Sequence, residues 1–153
     1  MRNFSKILTV SFFCFQFWGC SVSNDSKNAS KIDLKDSSNI NIPDTTWLEL
    51  NHDGVLRETL VYVPESYEGT EAVPLLLNFH GYGGFASNHL LTSDFRQLAE
   101  EQTFVLAYPQ GSLLDGSPHW NPSPQSATNK STVDDFGFIE SLIDNLSATY
   151  QID

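Results

Sequence analysis

Cysteine is nearly absent from this chain of 153 residues, occurring only as Cys14 and Cys20. Two thiols so close to the N-terminus exclude a disulfide scaffold and leave no cysteine cluster for a metal. Basic residues are also scarce, 8 against 19 acidic ones, giving a formal net charge of −11. That balance argues against nucleic acid as a partner, because a phosphate binder presents a basic surface. The histidines, His52, His80, His89 and His119, show no HExxH or comparable spacing, so no metal is expected. There is neither a GxGxxG fingerprint nor a Gly-Lys-Ser/Thr phosphate loop, and no other cofactor is expected. Internal repeats are lacking as well. What is present is a core-forming composition, 40% hydrophobic and 12% aromatic. At this length it suits one domain, or part of one.

Residues 1–20 read MRNFSKILTVSFFCFQFWGC. Arg2 and Lys6 form a short positive region, and Ile7 to Trp18 is an almost unbroken apolar run. Such a run is too short to span a bilayer of roughly 30 Å, but it suits an export signal. It ends at Gly19-Cys20, and a small residue directly before a cysteine resembles the lipobox of bacterial lipoproteins. The resemblance implies lipidation of Cys20, and with it a membrane as partner. Phe17 and Trp18 depart from the residues usual before such a pair, and an ordinary cleaved signal is the alternative reading. Residues 1–19 are therefore expected to be a signal peptide. Residues 20–43, rich in Ser, Asn, Asp and Lys, are expected to be a flexible tether. The protein is expected to be exported and anchored in the periplasm or at the cell surface, or otherwise secreted.

From about Thr45 the pattern changes. Trp47–Leu50 and Val55–Val63 read as strands, joined by Asp53-Gly54, a hairpin turn signal. Leu75–His80 and Phe104–Tyr108 are apolar runs bounded by Pro and Gly, as expected for strands buried on both faces. Between them, Phe95, Leu98 and Ala99 fall at helical spacing over residues 93–102. Residues 110–131 read as a long loop. Thr132–Asp135 offers capping side chains to a helix whose stripe is Phe138, Ile139, Leu142, Ile143 and Leu146. This alternation predicts an α/β fold with a mostly parallel sheet and helices on its faces. An α/β wind places another central strand after that last helix. Residues 44–153 are thus expected to form only part of such a domain.

His80-Gly81-Tyr82-Gly83-Gly84 directly follows a buried strand, and its glycines let backbone amides approach a ligand. A plain tight turn with a structural His80 is the alternative. Together with RETLVYVP (57–64), PLLLNFHGYGG (74–84), FVLAYPQG (104–111), HWNP (119–122) and VDDFGFI (133–139), this turn carries a resemblance. The ordered pieces resemble the secreted polyhydroxybutyrate depolymerase-like esterases, which include feruloyl and acetylxylan esterases. The resemblance implies an α/β-hydrolase fold and a serine ester hydrolase acting on ester-bearing polymers or acylated polysaccharides. In such a fold the turn supplies one oxyanion-hole amide, which falls here to the backbone N–H of Tyr82. His80, Gly81, Gly83 and Gly84 would shape the turn. The Tyr82 ring and Trp120 would border the substrate, or else face solvent and anchor the core, respectively. Asp134 and Asp135 match paired family aspartates, best explained by helix capping and loop fixing.

The same resemblance requires a G-x-S-x-G nucleophile elbow, followed by an acid and a histidine. No glycine of this sequence has that spacing, and no histidine follows His119. The 153 residues are accordingly expected to be an N-terminal fragment, truncated before the elbow and inactive alone. The competing expectation is a surface lipoprotein that binds glycan or polymer through Tyr82 and Trp120 without catalysis.

Overall fold

A computed structural model describes residues 42–123 and 130–153. The expected signal peptide, Cys20 and the expected tether as far as residue 41 lie outside the described residues. β1 (Thr46–His52) and β2 (Val55–Tyr62) form an antiparallel hairpin with His52 opposite Val55. Asp53 and Gly54, at φ 50° and 76°, make the two-residue turn. Positive φ at both positions is the combination an Asp-Gly pair tolerates, and its twist matches the flanking strands. The Asn51 side chain accepts the Gly54 N–H at 3.1 Å and closes it.

β3 (Leu75–Leu77) is followed by two short helices, α1 (Ala86–Thr92) and α2 (Arg96–Gln102), then β4 (Val105–Pro109). A small hairpin, β5 (Ser112–Leu114) and β6 (Ser117–His119), precedes the long helix α3 (Asp135–Thr149). The main sheet runs β1-β2-β4-β3. Its only parallel pair of named strands is β3 with β4, since β2 runs antiparallel to β4. The expected mostly parallel sheet is therefore mixed. Past α3 the chain returns beside Val73, where Ile152 makes a parallel bridge: Val73 N–H donates to Gln151 at 2.8 Å and Asp153 N–H to Val73 at 3.2 Å.

Strand alternation sorts the core into two layers. Leu60, Tyr62, Leu106 and Tyr108 point to the face covered by α1 and α2, with Leu90 and Ala99. Val61, Val105 and Ala107 point to the other face, against Phe138, Leu142 and Leu146 of α3. Of the stripe read for α3, Ile139 packs partly buried against this layer. Ile42 is buried in the first layer, and Arg96 donates to the Pro43 carbonyl at 3.0 Å. Ile42 and Pro43, the last two residues of the expected tether, thus pack against the domain.

Three expectations are corrected in detail. α1 stands where no helix was expected; at seven residues, with Phe85 as an N-cap whose side chain makes no capping bond, it carries little signal. Of Phe95, Leu98 and Ala99, only Ala99 is buried, because α2 starts at Arg96 and turns the other two outward. β3 stops at Leu77 rather than reaching His80. Asn78 N–H still donates to Ala107 at 2.8 Å. The following rung would need an N–H from residue 109, a proline.

Candidate functional site

β3 and β4, being parallel, deliver their carboxyl ends to one place, where open α/β sheets bind ligands. The chain leaving β3 forms the His80–Gly84 turn, and the chain leaving β4 forms Gln110-Gly111. His80 is buried and joins them. Its Nδ1–H donates to the Gly81 carbonyl at 2.7 Å, and its Nε2 accepts the Gly111 N–H at 2.9 Å. Gln110 Nε2 lies 3.1 Å from the same nitrogen, and Gln110 Oε1 accepts the Ala86 N–H at 2.9 Å. Burial lowers the His80 pKa, only partly opposed by its bond to Gly81. A neutral ring with both nitrogens engaged is a brace for the turn.

Within the turn, Gly84 N–H donates to Gly81 at 3.0 Å and Gly83 N–H to Pro118 of β6 at 2.8 Å. Gly83 sits at φ 75°, and a side chain on Gly84 would crowd the His80 Cβ at 3.1 Å. Gly81 has open space around it. Tyr82 lies between, 74% exposed, and its N–H meets no hydrogen-bond acceptor among the described residues. One side of the turn faces a groove of about 300 Å³, lined by Phe85, Asn88, His89 and Thr92 of the α1 region. His89 donates from Nε2 to Asn78 Oδ1 at 2.9 Å, and burial lowers its pKa.

Trp120 roofs the other side. Its Nε1–H donates to the His80 carbonyl at 3.0 Å. Its ring meets Phe79 edge-on at 5.1 Å between centroids and lies 5.3 Å from the His80 ring. Asn121, next in sequence, gives its N–H to Asp135 Oδ2 at 2.6 Å, and its side chain donates to Val133 at 2.9 Å. Asp135 is buried, and its other oxygen receives Arg57 Nη2 at 2.7 Å. Arg57 lies 3.9 Å over the Phe138 ring. Burial lowers the Arg57 pKa, and the Asp135 carboxylate offsets part of that cost. His119, also buried, donates from Nδ1 to the Ser112 carbonyl at 2.8 Å, and its Nε2 accepts the Ser131 hydroxyl at 2.7 Å. That pairing pins β6 to the loop segment ahead of α3.

Asp134 is directed elsewhere. Its Oδ1 caps α3 by accepting the Gly137 N–H at 3.0 Å. Its Oδ2 lies 3.6 Å from His52 Nε2, which is itself 3.9 Å from Asp53. These ligand atoms lie within 4.8 Å of one another, a grouping the sequence spacing did not reveal. A cation there would face the positive end of α3, so Asp134 is better matched to its cap.

The structure therefore gathers His80, Gly81, Gly83, Gly84, Trp120 and Asp135 around one turn, with Tyr82 at its tip. Asp134 stands apart from it. Arg57 and Gln110 belong to the same network and were not singled out from sequence. For Arg57 a signal existed: it is a cation on a strand whose neighbours, Thr59 to Tyr62, are buried.

Neither a protein-family model nor a curated protein matches this sequence. Solved structures do. The chain is similar to a thermostable esterase at a TM-score of 0.53 and 17% identity, over 72% of this chain and 32% of that one. It is similar to an S-formylglutathione hydrolase from Agrobacterium tumefaciens at a TM-score of 0.52 and 18% identity, over 71% and 45%. The chain thus shares the α/β fold of these two structures over part of their length, as expected for part of an α/β-hydrolase sheet. The chain spans less than half the length of either structure.

Proposed function

We propose that this chain is the N-terminal part of an exported carboxylic ester hydrolase of the polyhydroxybutyrate depolymerase, feruloyl or acetylxylan esterase type. The observation that carries the reading is the Tyr82 N–H, left without an acceptor past the carboxyl end of β3, a half-buried strand parallel to β4. In acyl transfer a serine hydroxyl attacks the ester carbon, and the carbonyl oxygen becomes an anion. An amide already aimed at that oxygen stabilises the transition state by about 3–4 kcal/mol per donor. Tyr82 would supply one such donor, held by the braced His80 turn. The nucleophile, its base and its acid would come from sequence after Asp153, since residues 1–153 hold no G-x-S-x-G segment. One neighbour in fold is an esterase and the other an S-formylglutathione hydrolase, which agrees with hydrolytic chemistry.

Cys20 would carry a lipid anchor, and the tether would hold the domain off the membrane toward ester-bearing polymer or acylated polysaccharide. A second reading, non-catalytic binding of glycan or polymer, is favoured by the exposed Tyr82 ring alone. Trp120 supports it less, because its N–H is already engaged by His80.

The test is hydrolysis of p-nitrophenyl acetate, methyl ferulate and hydroxybutyrate oligomers by the product of the uninterrupted reading frame. Turnover of any of the three supports the hydrolase reading. Binding of xylan or polyhydroxybutyrate with no turnover supports the second.

A further inference from the structure

We infer that Arg57 and Asp135 act together as the positioning pair of the His80–Gly84 turn, although neither touches it. The purpose assigned to the turn rests on the hydrolase reading; the geometry of the pair does not. Few of the turn's bonds are its own. Those fixing its place come from two arms outside it, Gln110-Gly111 at the exit of β4 and the 118–121 segment. One guanidinium nitrogen, Nη2 of Arg57, meets the first arm directly, 3.3 Å from the Gln110 carbonyl, and reaches the second through Asp135, whose Oδ1 lies 2.7 Å away. The second oxygen of Asp135 holds the Asn121 N–H at 2.6 Å, directly behind Trp120. Arg57 belongs to β2 and Asp135 to the first turn of α3. The pair therefore ties the sheet and the helix to both supports of one exposed amide. A guanidinium suits the task, because its planar fork of donors reaches two acceptors at once in a fixed geometry.

Positioning is separable from simple stabilisation by amide hydrogen exchange on the full chain. The variant Arg57→Met/Asp135→Leu removes both charges, leaving no orphaned ion in the interior. Its expected signature is local. The Trp120 indole N–H and the Gly83 amide, which bond His80 and Pro118, exchange about tenfold faster or more, while β2–β4 ladder amides stay near parental rates. Parental rates at Trp120 and Gly83, or equal acceleration everywhere, overturn the inference. Should the double variant fail to fold, Trp120→Phe isolates one arm by removing the donor to His80 while keeping an aromatic ring beside Phe79. Gly83 is then expected to exchange faster, with the Asn121 amide on Asp135 unchanged. An unchanged Gly83 overturns the inference there too. Ester hydrolysis enters none of these readouts, so an inactive enzyme would remove the hydrolase reading without touching this one.

Discussion

The β1–β2 hairpin and the His80–Gly84 turn are both tight reversals at the end of a strand, yet they are specified in different ways. The hairpin is closed by its own residues: Asp53 and Gly54 take the required φ, and Asn51 caps the loop. The His80 turn is held by partners 24 to 40 residues away in sequence, through Gln110–Ala86, Gly111–His80 and Trp120–His80. A turn that only reverses the chain can be local. One that leaves an amide without an acceptor, as this turn does at Tyr82, has given up that amide as a closing bond, and its rigidity comes from elsewhere.

The largest expected effect breaks the remote support. Arg57→Met leaves Asp135 buried without its counter-ion, and loss of one partner of a buried pair costs about 3–5 kcal/mol, read as a lower urea midpoint. Next comes Gly111→Ala. An added Cβ would run into the His119 carbonyl and the His80 ring, so overpacking of about 1–3 kcal/mol is expected, with the turn amides disturbed first. Gly54→Ala probes the local side of the comparison. It forces a side chain to φ 76° in open space, costing about 1 kcal/mol, with faster exchange confined to β1 and β2.

The smallest effect is on pH dependence. Burial lowers the pKa of both His80 and His89 from 6.5, so the folded state prefers them neutral. The unfolded chain takes up these protons first as pH falls. Their contribution is complete above pH 6.5 and is lost below it, as pH drops toward the folded-state values. Melting temperature is expected to fall between about pH 7 and pH 5, with a shallower slope in His80→Gln. A steeper slope in that variant would contradict the account.

The same contrast explains what was legible in the sequence. Asp53-Gly54 announced a hairpin because its chemistry is local. Asp115-Gly116, at φ 50° and 81°, turns the β5–β6 hairpin with the same pair, but its strands are only three residues each and were read as loop. The apolar runs located β3 and β4, and the stripe of α3 located Phe138, Leu142 and Leu146 in the core. Sheet direction was less legible, since periodicity gives a strand's faces and not its neighbours. Within the site, His80 and its glycines were visible as a motif. The partnership of Arg57 with Asp135 was not, because 78 residues separate them and only the folded chain brings them together.

The central proposal is that the Tyr82 amide would serve as half of an oxyanion hole, and the coding sequence after Asp153 tests it most directly. The account predicts a frame that continues into a strand beside β3, then a G-x-S-x-G elbow, then an acidic residue and a histidine. A frame that continues without such an elbow, or a stop codon at position 154, would contradict it.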